Sequence, residues 1–186
     1  TDKETLDLVK KTEAELETWL DQTVGKVHGN MQITDPMQAR VLEHPYIEFI
    51  NRVQMEASQT KISGTALFNN EGKGFGEQIT MREIITNYVY PNTLAVLKIT
   101  GQDLRDALEQ TANYLAVESE EIVFNKAFIE PKPQYYNYDM YEGINYLIDL
   151  SMPVGQRITK LEKEGKKIQP EEELEVVMNQ YRAVGG

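Results

Sequence analysis

Cysteine is absent from the chain, which excludes a disulfide framework, a thiolate metal site and a thiol nucleophile together. Histidine is nearly as scarce. With 2 copies, a self-contained histidine metal centre would need carboxylates for most of its ligands. Neither His28 nor His44 has a ligand-spaced partner, and both sit in loop-like contexts that suit an exposed or capping residue. No apolar run approaches the roughly 20 residues that span a bilayer, and the opening residues carry no signal-peptide pattern. Positive charge is also in short supply: 19 basic against 30 acidic residues give a net charge of -11. That is the wrong sign for wrapping a polyanion, so a nucleic-acid polymer is not an expected partner. A few local donors can still hold a single phosphate group whatever the global charge.

What remains is an ordinary globular composition, 40% apolar and 26% charged, over 186 residues, enough to bury a sizeable core. Leu6, Val9, Leu16 and Leu20 recur at helical spacing over residues 1–20, with Thr1 and Glu4 placed as a capping box and Trp19 near the expected buried end. Thr23 to Val27 fits a short strand. A helix is predicted from Pro45 to Ala57 on the spacing of Phe49, Ile50, Val53 and Ala57, with proline in its first turn. Lys61 to Phe68 reads as a strand, and Thr80 with Glu83 opens a short helix ending near Asn87. Thr93 to Ile99 reads as a strand, followed by a helix capped by Thr100 that carries Leu104, Leu108, Thr111 and Leu115 on one face. Residues 117–143, acidic and then tyrosine-rich, read as a long ordered loop or hairpin, because tyrosines are costly to leave unpacked. Strands are expected at 145–150, 156–161 and 174–178. Helices and strands alternate without a regular βαβ repeat, so the fold class is α+β: a single domain with a mixed or antiparallel sheet and packed helices.

A search for chemistry returns little of a catalytic kind. Ser63 and Ser151 lack a nucleophile-elbow context or a nearby histidine. Glu118, Glu120 and Glu121, and Glu171 to Glu173, read as solvated faces. Two features point to a ligand instead. The run Asn70-Glu71-Gly72-Lys73-Gly74-Phe75-Gly76 carries glycines that let backbone approach a bound molecule closely. Tyrosine is plentiful, with 10 copies, and Tyr90 and Tyr181 both fall at a strand edge beside turn-forming residues. Two such rings meeting in a cleft could hold a base by stacking, though rim or core tyrosines have the same pattern.

Several ordered segments carry a resemblance: Tyr88-Val89-Tyr90-Pro91-Asn92-Thr93-Leu94-Ala95-Val96-Leu97-Lys98-Ile99-Thr100-Gly101, then Tyr136-Asn137-Tyr138-Asp139 and Glu142-Gly143-Ile144-Asn145-Tyr146, and finally Asn179-Gln180-Tyr181-Arg182-Ala183-Val184-Gly185-Gly186. Asp35-Pro36, Gln38-Ala39-Arg40 and Ile62 to Phe68 add weaker support. Together they resemble the C-terminal domain of the 5'-nucleotidase family, and most closely its 2',3'-cyclic-nucleotide 2'-phosphodiesterase branch.

The resemblance implies a nucleotide-binding domain over residues 35–186, preceded by a helix and connecting segment over 1–34. Tyr90 and Tyr181 become the base-stacking pair and Asn92 an edge contact to the base. Asn70, Gly72 and Lys73 line the nucleotide site. Many 5'-nucleotidases place arginine in this loop to grip phosphate; here Lys73 is the only basic residue within it, a point charge without a bidentate fork. The family's metal motifs do not occur here, so this chain is expected to carry no catalytic or metal-binding residues and to bind without hydrolysing. Two divalent metal ions are expected in an N-terminal metallophosphoesterase domain of the same polypeptide, absent from this chain. The chain opens on Thr1 and stops at Gly185-Gly186, and both ends are expected to be cuts from a longer protein. An extracellular, cell-wall-associated or periplasmic location follows from the resemblance. The competing reading is an interaction or adhesion module that keeps the fold without the ligand.

Overall fold

The structure, a computed structural model, describes residues 2–185. The chain forms two compact units, one built from the residues up to Thr34 together with Glu71–Pro91, the other from Asp35–Asn70 together with the residues from Asn92 onward.

The first unit opens with the helix Lys3–Leu20. Asp2 caps it, its carboxylate accepting the Glu4 N–H at 3.1 Å. The predicted capping role of Thr1 lies outside the described residues. Two antiparallel ribbons follow, Thr23–Lys26 with Gln78–Thr80 and Met31–Gln32 with Gly74–Phe75, around a small core of Val27, Ile33 and Phe75. The helix Met81–Asn87 opens on the predicted capping box: the Glu83 N–H donates to Thr80 Oγ1 at 3.2 Å, and the Thr80 N–H donates to Glu83 Oε2 at 2.8 Å. Arg82 on this helix donates to Asp21 at 2.7 Å and pairs with Glu17. Trp19 departs from its expected burial. It is 42% exposed, and no residue of the helix Lys3–Leu20 is buried. Amphipathic spacing is enough to form a helix, but its apolar stripe is buried only where another element covers it; here the helix is tied down through charged side chains.

The second unit is organised by a four-stranded sheet in the order Leu94–Thr100, Glu173–Asn179, Ile62–Ala66, Asp139–Glu142. The central pair is parallel and the two outer pairings are antiparallel, so the sheet is mixed, as expected. Strand alternation divides its residues between two faces. Ile62, Leu174, Val176 and Met178 join Leu104, Leu108 and Ala112 of the helix Gly101–Ala112 in the main core, with Ile158, Leu161 and Ile168 from a second, antiparallel three-stranded sheet, Asn145–Ile148, Ile158–Lys163 and Lys166–Lys167. On the opposite face Ser63 meets the helix Pro45–Ser58, where it accepts from Gln54 Nε2 at 3.2 Å.

Helix Pro45–Ser58 forms where predicted, but its inward stripe is Ile47, Asn51 and Gln54, while Val53 is 47% exposed. The apolar spacing misses this because the sheet face it covers is itself polar, and amide side chains satisfy it: Asn51 Nδ2 donates to the Met140 carbonyl at 3.2 Å. His44 is a cap, its Nδ1 accepting the Tyr46 N–H at 3.2 Å. The helix beginning at Gly101 ends at Ala112, so Leu115 is not on its face. Leu115 is buried as the first residue of a hairpin, Leu115–Glu118 with Glu121–Phe124. The tyrosine-rich segment beyond the hairpin is ordered and packed: Tyr114 stacks on Phe128 at 4.0 Å, and Tyr138 stands edge-on to Phe124 at 6.0 Å.

Gly101 tests what limits this packing. At a helix N-terminus alanine would gain about 1 kcal/mol over glycine on propensity alone. Yet a Cβ at Gly101 would lie 2.1 Å from the Gln169 carbonyl oxygen and 2.7 Å from Ile168 Cγ2. Backbone cannot move aside as a side chain can, so sterics win. Gly101→Ala is expected to destabilise the protein by about 1–3 kcal/mol net, read as a lower urea midpoint at unchanged slope; a raised midpoint would contradict this packing.

Candidate nucleotide-binding site

Strand Glu173–Asn179 ends at a side chain that starts the next element. Asn179 is 2% exposed, and its Oδ1 accepts the Arg182 N–H at 3.0 Å, capping the one-turn helix Gln180–Ala183. Tyr181 therefore stands on a capped helical turn beyond the strand and not on a strand edge. The strand pairing delivers Thr93 to the same place. Leu94 is the register partner of Asn179, the Gln180 N–H donates to the Thr93 carbonyl at 2.8 Å, and Thr93 Oγ1 donates to Gln180 Oε1 at 2.6 Å. The pairing ends there: Tyr181 is the helical residue after Gln180, and Asn92 the residue before Thr93. Tyr181 is 50% exposed, while the N–H groups of its neighbours Gln180 and Arg182 are both hydrogen-bonded.

Arg182 roots this turn. Its Nη2 donates to Asp139 Oδ2 at 2.7 Å, its Nε contacts both Asp139 oxygens at 3.1 and 3.2 Å, and its Nη1 donates to Asn137 Oδ1 at 3.0 Å. Asp139 is 6% exposed, so this is a buried, forked pair of the strong kind. Asn137 closes the one-turn 3₁₀ helix Tyr135–Asn137, whose Tyr136 meets Tyr181 edge-on with ring centroids 6.3 Å apart. Lys132 lies over the outer side of Tyr136 at 5.9 Å.

The same 3₁₀ turn is held from its other side. Arg40, 4% exposed, places its guanidinium 4.7 Å from the Tyr135 ring centroid and donates to the carbonyls of Pro36, Leu67 and Asn69 and to Asn70 Oδ1. Burial draws Arg40 down to about 10, which leaves it protonated at neutral pH. Asn70 is thus fixed at the start of the glycine loop.

The remainder of that loop belongs to the first unit. Gly72 is buried and Lys73 exposed, with the Lys73 carbonyl accepting the Ile33 N–H at 2.8 Å. Gly74 has φ +66°, and a Cβ there would sit 2.0 Å from the Met31 carbonyl oxygen, so glycine is required. Buried Asn87 clamps it from both sides: its Oδ1 accepts the Gly74 N–H at 2.7 Å and its Nδ2 donates to the Gly74 carbonyl at 2.8 Å. Tyr90 follows the helix Met81–Asn87 and is 55% exposed.

The structure thus ties Thr93, beside Asn92, to Gln180, beside Tyr181, and sets Asn70 on Arg40 within the second unit, and places Gly72, Lys73 and Tyr90 in the first. Sequence reasoning passed over Arg40, Asn87, Tyr136, Asp139 and Arg182 as site residues, although four of the five lie within the segments that carried the family resemblance. Among the described residues no group of three or more His, Cys, Asp or Glu side chains could hold a metal ion. His44 Nδ1 is engaged in its helix cap.

The helices and the mixed and antiparallel sheets define an α+β fold, with an exposed tyrosine carried on a capped turn of the second unit. Residues 23–186 match the family model for the 5'-nucleotidase C-terminal domain, and the chain belongs to that family. Among curated relatives, the 2',3'-cyclic-nucleotide 2'-phosphodiesterase/3'-nucleotidase of Haemophilus influenzae is 27% identical over 99% of this chain and 33% of its own length. Among solved structures, a Staphylococcus aureus protein provisionally described as a 5'-nucleotidase, in complex with alpha-ketoglutarate, is 36% identical with a TM-score of 0.91, over 100% of this chain and 36% of that one. A 5'-nucleotidase precursor from Thermus thermophilus shares the fold at 18% identity and a TM-score of 0.70. The chain spans about a third of the length of these relatives.

Burial decides which ion pair matters here. Asp139→Asn keeps the shape but leaves the Arg182 guanidinium without its carboxylate, at an expected cost of about 3 kcal/mol. Glu175→Gln, which removes the exposed partner of Lys98 at 3.9 Å, is expected to change stability by less than about 1 kcal/mol. Urea unfolding of both variants checks the contrast; equal losses would contradict it.

Proposed function

We propose that this domain recognises the base and ribose of a nucleotide, and that it serves a larger phosphoesterase acting on 2',3'-cyclic nucleotides, nucleoside monophosphates or both. The observation that carries the reading is the exposed Tyr181 ring on a turn pinned by Asn179, Gln180 and Arg182, with Asn92 next to the Thr93 that bonds Gln180. An aromatic face that is both exposed and immobile is what base stacking needs, because the ordering of the ring is met by folding before the ligand arrives. In this reading Tyr90 supplies the second face of the stack and Asn92 an edge hydrogen bond that orients the base. Asn70, Gly72 and Lys73 line the ribose and phosphate, with Lys73 as a point charge. The names of the relatives support the substrate class, and the resemblance supports a partner domain in the same polypeptide that holds two divalent metal ions and carries out hydrolysis. The intact protein is then a nucleotide-catabolic hydrolase working outside the cytoplasm, in the extracellular space, the cell wall or the periplasm.

The present chain supplies affinity and orientation. Stacking is worth about 1–3 kcal/mol per base. Tyr181→Ala is therefore expected to weaken binding of adenosine and adenosine 3'-monophosphate at least about tenfold, in metal-free calorimetric titration, with the unfolding temperature little changed. Unchanged affinity in a folded variant would remove the stacking model.

A further inference from the structure

A buried arginine ordinarily faces a carboxylate, since taking the cation out of water is costly unless an anion compensates it. Arg182 follows that rule with Asp139. Arg40 does not: its hydrogen-bond partners are the carbonyl oxygens of Pro36 at 3.0 Å, Leu67 at 2.8 Å and Asn69 at 3.1 Å, together with Asn70 Oδ1 at 2.8 Å. The rings of Tyr135 and Phe124, at 4.7 and 5.4 Å, complete its surroundings. Every one of these partners is neutral. Aspartate at position 70 would supply the missing anion with no change of size, yet the residue there is asparagine.

The consequence falls on Asn70. Its two amide ends differ only in which is donor and which acceptor, and the guanidinium settles the choice: a flipped amide would set NH₂ against an N–H donor. With Oδ1 held by Arg40, Nδ2 is the end of the exposed Asn70 amide left as a donor at the first position of the glycine loop. We propose that Arg40 is a positioning residue of the nucleotide site, and that it makes Asn70 a dedicated hydrogen-bond donor to an acceptor oxygen on the ligand's ribose or phosphate. The inference rests on the nucleotide-binding reading above. It also gives asparagine at position 70 a purpose that stability alone would not.

Asn70→Asp separates the two roles, because it improves the partner of Arg40 while replacing the Nδ2 donor by an acceptor. In the protein carrying that substitution, the unfolding temperature is expected to hold or rise, while affinity for adenosine 3'-monophosphate falls at least about tenfold. Equal loss on adenosine assigns the acceptor to ribose, and loss confined to the phosphate ligand assigns it to phosphate; either upholds the donor role. Unchanged affinity for both would overturn it. Arg40→Lys keeps the charge and loses the fork. It is expected to weaken binding as well, with no further loss when Asn70→Asp is added, whereas additive losses would contradict positioning through Asn70. Should the unsubstituted protein take up neither ligand, or Tyr181→Ala leave binding intact, the parent reading falls first and the inference with it.

Discussion

The strand Glu173–Asn179 is the constraint on which the second unit depends. It is paired on both sides, parallel to Ile62–Ala66 and antiparallel to Leu94–Thr100, and its inward side chains Leu174, Val176 and Met178 enter the main core. A doubly paired strand with a buried face has its register strongly specified, since a slip of one residue would turn that face to solvent. Everything at its carboxyl end inherits this precision. Asn179 caps the following turn, Tyr181 is carried by it, and Thr93 of the neighbouring chain segment bonds Gln180 at its start. The exposed Tyr181 is thus placed by the strand end and not by a long loop.

Two guanidiniums then brace the 3₁₀ turn Tyr135–Asn137 from opposite sides. Arg182 grips it through Asn137 with an anion, Asp139, at its back, and Arg40 supports the Tyr135 ring from among carbonyls. The difference in partners reflects a difference in task. The first pair anchors the Tyr181 turn to the sheet, and the second orients an amide at the head of the glycine loop. In the first unit Asn87 performs the corresponding service for Gly74, satisfying both of its backbone groups.

Much of this was legible in the sequence, and the reasons are specific. Capping boxes at Thr80 and Thr100 located two helices because the required hydrogen bonds are local. The β-branched run before Thr100 located the strand Leu94–Thr100, and the strand expected at 174–178 lies within Glu173–Asn179, while their pairing came only with the structure. Local signals failed where a distant partner decided the outcome. The inward stripe of the helix Pro45–Ser58 is partly polar because the sheet face beneath it is polar. Trp19 is exposed because no element of its own unit covers the stripe it belongs to. Leu115 was read as helical because its spacing continues the pattern of Leu104, Leu108 and Thr111 past the last helical residue. The site residues were reached by ordered family resemblance, while the side chains that hold them, Arg40 and Asp139 above all, act across about 30 and 43 positions of sequence and leave no periodic trace.

The central proposal is that the exposed tyrosine turn is a recognition surface for a nucleotide. The most direct test is chemical-shift mapping of the isotopically labelled protein during titration with adenosine 3'-monophosphate. The account predicts the largest perturbations at Asn70, Gly72, Lys73, Tyr90, Asn92, Tyr136 and Tyr181. Perturbations centred instead on the basic groove lined by Arg105, Lys160 and Lys167, with the tyrosine turn silent, would contradict it.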